Sequence, residues 1–117
     1  MSGPRTVAGE VRMTEPLRIP SGMLRVTVED VSRADAPSVV VAETVIPVHG
    51  GLPAGGSVPF TVAVPNVDAR AHYLVRAHLD TTGSGDVTAG DRLSMAAYPV
   101  LTGGHPARVV VEARTVR

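Results

Sequence analysis

The stretch MLRVTVEDV (23–31) alternates at every step, with Leu24, Val26 and Val28 on one side and Arg25, Thr27 and Glu29 on the other. A period of two is the side-chain repeat of a β-strand, and no helix can present it as a single apolar face. Six further segments have strand character: 6–14, 38–46, 57–64, 71–79, 92–100 and 107–115. Segment 57–64 directs Val58, Phe60, Val62 and Val64 inward, and 71–79 does the same with Tyr73, Val75, Ala77 and Leu79. No window carries an apolar stripe with the 3.6-residue repeat of a helix.

The segments between these runs are rich in glycine, proline and Asx residues, as in EPLRIPSG (15–22), RADAP (33–37), PVHGGLPAGG (47–56), VPNVDA (64–69) and TGGHP (102–106). These residues supply positive φ, a preset φ and side-chain caps for turns. Short alternating strands at this spacing predict an all-β chain, an antiparallel β-sandwich of about seven strands, in one domain over 1–117. Phe60, Tyr73 and Tyr98 are the only aromatic residues, so the core is aliphatic and mostly valine. Val26, Val28, Phe60, Val62, Val75, Ala77, Val109 and Val111 are its expected members. Pro59 lacks an N–H and places 57–64 at a sheet edge, whereas SVVVAETVI (38–46) is apolar enough for a central strand.

Composition narrows the chemistry. Eleven arginines balance eleven acidic residues, with no lysine and no cysteine. Schiff-base chemistry, disulfides, thiolate nucleophiles and cysteine–zinc sites are therefore absent. With no basic stripe and no aromatic row, nucleic acid is not an expected partner. No apolar run is long enough to span a membrane as a helix, and the N-terminus lacks a signal-peptide core. As written, the chain is expected in the cytoplasm, or in the cell envelope if a leader has been removed.

One loop carries a candidate site. DTTGSGDVTAGD (80–91) holds three of the eleven acids. Counted from Asp80, it follows the register of a twelve-residue calcium loop, with oxygen-bearing Asp80, Thr82, Ser84, Asp86 and Asp91, Gly85 at the sharp turn and Val87 at the apolar eighth place. Thr88 occupies the ninth position. Hydroxyls stand in for carboxylates at two positions, so calcium binding would be weak, in the class of about 0.1–1 mM. The other reading is a long hairpin loop whose Asp, Ser and Thr side chains cap their own turns. No other cofactor is indicated.

No catalytic constellation is legible. His72 and His78 share a face of one expected strand but lie about 20 Å apart along it. His49 and His105 lie in glycine-flanked loops, and all four histidines read as surface residues. TGSGD around Ser84 is not a nucleophile elbow. Arg33 and Asp35 in SRADAPS (32–38) read as a surface ion pair. The chain is expected to be a non-enzymatic binding or assembly module with a protein partner, monomeric or homodimeric. The alternatives are a weak calcium-binding domain and a hydrolase with loop-borne residues.

Three stretches together, DVSRADAPSVVVAETVIP (30–47), YLVRAHLD (73–80) and AYPVLTGGHPARVVV (97–111), resemble the YscW/YbaY-like family of type III secretion lipoprotein-chaperone domains. The similarity runs from about Gly9 to Val116. It implies a compact β-sandwich, often carried as a bacterial envelope lipoprotein. Some relatives are pilotins, which help a secretin reach or assemble in the outer membrane. The resemblance implies no catalytic residues. Relatives carry a more acidic D-x-D-G-D-G form at the 80–91 loop, and this chain shows neither a signal peptide nor a lipidation cysteine.

Overall fold

The computed structural model describes residues 2–117. It contains eight strands: β1 (Ser2–Met13), β2 (Ser21–Asp30), β3 (Val39–His49), β4 (Ser57–Asp68), β5 (Tyr73–Asp80), β6 (Arg92–Ser94), β7 (Pro99–Val100) and β8 (Arg108–Thr115). The described residues include no helix, and the all-β expectation holds. The arrangement differs from the expected antiparallel sandwich. The strands form one hydrogen-bonded sheet in the order β3-β2-β5-β6-β8-β1-β4, with β7 paired to β5. The end strands β3 and β4 meet without pairing, so the sheet is rolled into a nearly closed barrel. The roll is flattened: the molecule measures 44 × 27 × 19 Å, and its short axis accommodates two facing walls about 10 Å apart. Alternation specifies one dry and one wet face. One rolled sheet meets that condition as well as two stacked sheets do.

The sheet is also mixed. β8 runs parallel to β1, from Ala8 opposite Arg108 to Met13 opposite Ala113, while the other pairings are antiparallel. Strand direction leaves no mark in a period-two pattern. Gly9 shows how closely these two backbones meet. A Cβ placed there would lie 1.8 Å from the Val109 carbonyl oxygen, so only glycine fits.

The core follows the alternation. Val26, Val28, Phe60, Val62, Val75, Ala77 and Val111 are buried as expected, joined by Val7, Val11, Met13, Leu24 and Leu79. Val109 is half-buried and packs against this cluster rather than within it.

The two edges depart from expectation in opposite ways. β4 is an edge strand, as Pro59 requires. It continues through the expected turn at 64–69 because a bulge intervenes: β1 advances from Gly3 to Arg5 while β4 goes from Val67 to Val64. The extra residue near Pro65 turns both Val64 and Val67 inward. β3 is the other edge, not a central strand. Its outer valines Val39, Val40 and Val45 remain exposed, because apolar composition signals burial on both faces only where a neighbouring layer exists.

The expected strand 92–100 is broken into β6 and β7, with residues 95–98 outside the sheet. β5 remains satisfied along this gap. The Ala77 amide donates to Ser94 Oγ at 2.9 Å, and the Val75 amide to the Tyr98 carbonyl at 3.0 Å. A serine side chain thus takes the place of a ladder carbonyl.

Candidate functional site

The 80–91 loop leaves the end of β5 and returns to β6 as a tightly hydrogen-bonded turn. The Asp80 carboxylate accepts from the amides of Gly85 (2.9 Å), Thr82 (3.1 Å) and Gly83 (3.0 Å) and from the Thr82 hydroxyl. The Gly85 amide and these further donors hold its pKa below the ordinary aspartate value. Thr82 Oγ1 lies 3.1 Å from Ser84 Oγ, and the Ser84 hydroxyl donates to the Asp86 carbonyl at 3.2 Å. Asp80, Thr82 and Ser84 are therefore brought together, while the Asp86 side chain is exposed.

Asp91 is placed apart from this group. It is fully buried and accepts four hydrogen bonds: from the Thr81 amide (2.9 Å), the Thr81 hydroxyl (2.6 Å), the Thr88 amide (3.1 Å) and His78 Nε2 (2.8 Å). Burial pushes its pKa up, but these donors outweigh burial and hold the carboxyl well below the usual range. Asp91 is the inner anchor of the loop and Asp80 its outer organiser. Among the described residues, no cluster of three or more histidine or acidic groups is arranged to hold a metal ion.

His78 departs from the surface reading of the histidines. Its side chain is 15% exposed and bound to Asp91. No local motif announces this pair, because thirteen residues separate the partners. The one available signal was that His78 precedes the loop by two residues while Asp91 ends it. His49, His72 and His105 are exposed. Ser84 is bonded within its own turn, and among the described residues no serine hydroxyl contacts His78.

A second polar cluster lies on the outer face. Thr27 and Glu29, expected at the wet surface, are buried. Glu29 accepts from the Thr27 hydroxyl (2.8 Å), the Ser38 hydroxyl and Arg76 Nε (3.0 Å). Burial opposes ionisation, yet the Ser38, Thr27 and Arg76 bonds together lower its pKa. Ser38 ties the 31–38 connection to the sheet here. Arg33 and Asp35 form no ion pair with each other among the described residues. The connection is held instead by the Ser32 amide donating to Asp30 and the His72 amide donating to Ser32 Oγ.

The third feature is a cavity of about 570 Å³ at one end of the barrel, between residues 3–5 of β1, the end of β4 and the 101–105 turn. Leu101 on its wall has φ +74°, and no other described non-glycine residue has positive φ. The Thr102 amide donates back to the Val100 carbonyl at 2.8 Å. This closes a three-residue γ-turn of the strained, positive-φ kind around Leu101. Such a conformation costs about 1–3 kcal/mol and persists only where its surroundings enforce it. Here the Leu101 amide donates to the Pro106 carbonyl at 3.1 Å and the Thr102 hydroxyl to the Ala71 carbonyl at 2.6 Å.

Comparison with known proteins bears on the whole chain. A solved structure described as an alternative pilotin from the type II secretion system of Vibrio cholerae has the same fold, with a TM-score of 0.78, 23% identity, and coverage of 97% of this chain and 98% of that one. A search of the curated proteins found no match. The sequence model of the type III secretion system lipoprotein chaperones (YscW) matches residues 2–112. The chain belongs to the YscW family of type III secretion system lipoprotein chaperones.

Proposed function

We propose that the protein is a non-enzymatic chaperone-type module that holds a protein component of a bacterial secretion apparatus at the cell envelope. The family match over residues 2–112 carries this reading. The resemblance noted above implies a secretin as the partner. Cytoplasmic residence, expected from the sequence as written, finds no support in a family of lipoprotein chaperones.

The contact surface that fits best is the unpaired edge of β3, which lies near β4 without forming a ladder with it. Eleven residues long, it lacks lysine and exposes Val39, Val40 and Val45. The opposite edge, β4, is interrupted by Pro59, Pro65 and a bulge, all of which discourage strand addition. An extended partner segment adding to β3 would gain main-chain hydrogen bonds, with the valines providing side-chain contacts. The test is a binding measurement between this chain and secretin domains from the same host. One of them should bind, and Val40→Lys with Val45→Lys should weaken it about tenfold. Failure of every secretin domain to bind refutes the partner; undiminished binding by the lysine variant refutes the surface.

A further inference from the structure

We propose that the cavity at the end of the barrel is a binding site for a carboxylate carried on an apolar group. Its volume of about 570 Å³ suits a small ligand or a chain terminus. Among the described residues no acidic side chain lines it, and the ionisable groups on its wall are Arg5 and His105. Among the described residues Arg5 forms no ion pair. The amides of Gly103 and Gly104, on the same wall, donate to no protein acceptor among the described residues. Among the described residues the wall thus combines an arginine and two glycines with unpaired amides, and no carboxylate.

The rest of the wall is apolar. Val67 and Leu101 are buried in the core and show one side to the cavity, beside Ala69. Thr102 already commits its hydroxyl to the Ala71 carbonyl, which leaves the anion to Arg5 and the glycine amides. The strained turn at Leu101 fits this role, since enforced backbone strain gathers at ligand clamps. A planar guanidinium takes a carboxylate through two parallel hydrogen bonds. A phosphate dianion would exceed the single fixed cation here. The apolar body of the ligand would rest on Val67 and Leu101. Two sources share this chemistry: the free C-terminus of a peptide ending in an apolar residue, and a free aliphatic acid. The inference is independent of the β3 edge and of the partner proposed above.

The test is a two-dimensional NMR titration of the full chain with acetyl-Ala-Ala-Val bearing a free carboxylate, the same peptide as its C-terminal amide, and hexanoate. The free acid should shift the amides of Val67, Thr102 and Gly104 saturably, with the amide peptide about tenfold weaker. Arg5→Gln should weaken the acid about tenfold and leave the amide peptide unchanged. Hexanoate binding as tightly as the acid peptide assigns the site to free acids, and weaker binding assigns it to chain ends. Equal affinity for acid and amide, indifference to Arg5→Gln, or no saturable shift with either acid up to about 10 mM overturns the proposal.

Discussion

His78 Nε2 lies 2.8 Å from Asp91 Oδ2, across the root of the 80–91 loop. Because the carboxyl is held ionised, the imidazole nitrogen is the donor in this bond. Together with the two Thr81 donors and the Thr88 amide, it converts a glycine-rich loop into a fixed turn between β5 and β6.

The first prediction concerns pH. A carboxyl whose folded pKa lies below its unfolded value, about 3.9, stabilises the fold fully above that value. The contribution is lost as pH falls toward the folded pKa. Stability should therefore hold through neutral pH and decline below about pH 4. Asp91→Asn should cost about 1–3 kcal/mol at pH 7 and flatten the acid slope. Part of that slope should persist, because Glu29, Asp30 and Asp80 are also held low. Urea unfolding at pH 7 and pH 3.5 checks both statements; an unchanged slope in the variant would refute the anchoring role.

Gly9→Ala should destabilise the fold by about 2–3 kcal/mol, as a Cβ is forced against the β8 backbone. The cost should fall on the parallel β1–β8 pair. Hydrogen exchange should show faster opening at Glu10, Val11 and Val111, with β2 and β5 less affected. Wild-type stability in Gly9→Ala would contradict the close approach of these strands.

Self-association should be confined to β3. Val40→Lys with Val45→Lys should change stability by less than about 0.5 kcal/mol, because both side chains are exposed. Any dimer seen by sedimentation at high concentration should dissociate in that variant, since an edge lysine opposes strand pairing. A dimer that survives the change would have to use another face.

The calcium reading of the loop gives a distinct melting behaviour. The oxygens of Asp80, Thr82 and Ser84 already lie together, whereas Asp86 is exposed and Asp91 is bonded to His78, Thr81 and Thr88; weak binding at the first three is the proposal to be tested. At a Kd of about 1 mM, calcium at about 10 mM should stabilise the fold by about 1.4 kcal/mol and raise Tm by several degrees. Asp80→Ala should abolish the rise. Identical curves in calcium and EDTA would leave the loop as a turn held by its own amides.

Much of the fold was legible because burial on one face writes itself into alternation. Leu24, Val26 and Val28 in β2 and Phe60, Val62 and Val64 in β4 are buried as their spacing demands. Pro59 announced an edge because a missing N–H is a local chemical fact. The resemblance carried by 30–47, 73–80 and 97–111 pointed to the family that the chain joins.

What only the tertiary structure decided is how those strands close on one another. Period-two patterning is silent on strand direction, so the parallel β1–β8 pair and the rolling of one sheet were not readable from it. It is equally silent on which apolar strand lies at an edge, and the valines of β3 therefore read as central. Thr27 and Glu29 sit on the face that alternation assigns to water. They are buried because Ser38 and Arg76 arrive from elsewhere in the chain to satisfy Glu29, which also accepts from the Thr27 hydroxyl. Asp91 reads as a ligand from its place at the end of the twelve-residue register, and its burial against His78 depends on the return of β6 to β5. The cavity likewise exists only where the start of β1, the end of β4 and the 101–105 turn converge. Local periodicity records which side of a segment avoids water. The partners that satisfy its polar groups come from residues distant in sequence, and only chain closure brings them into contact.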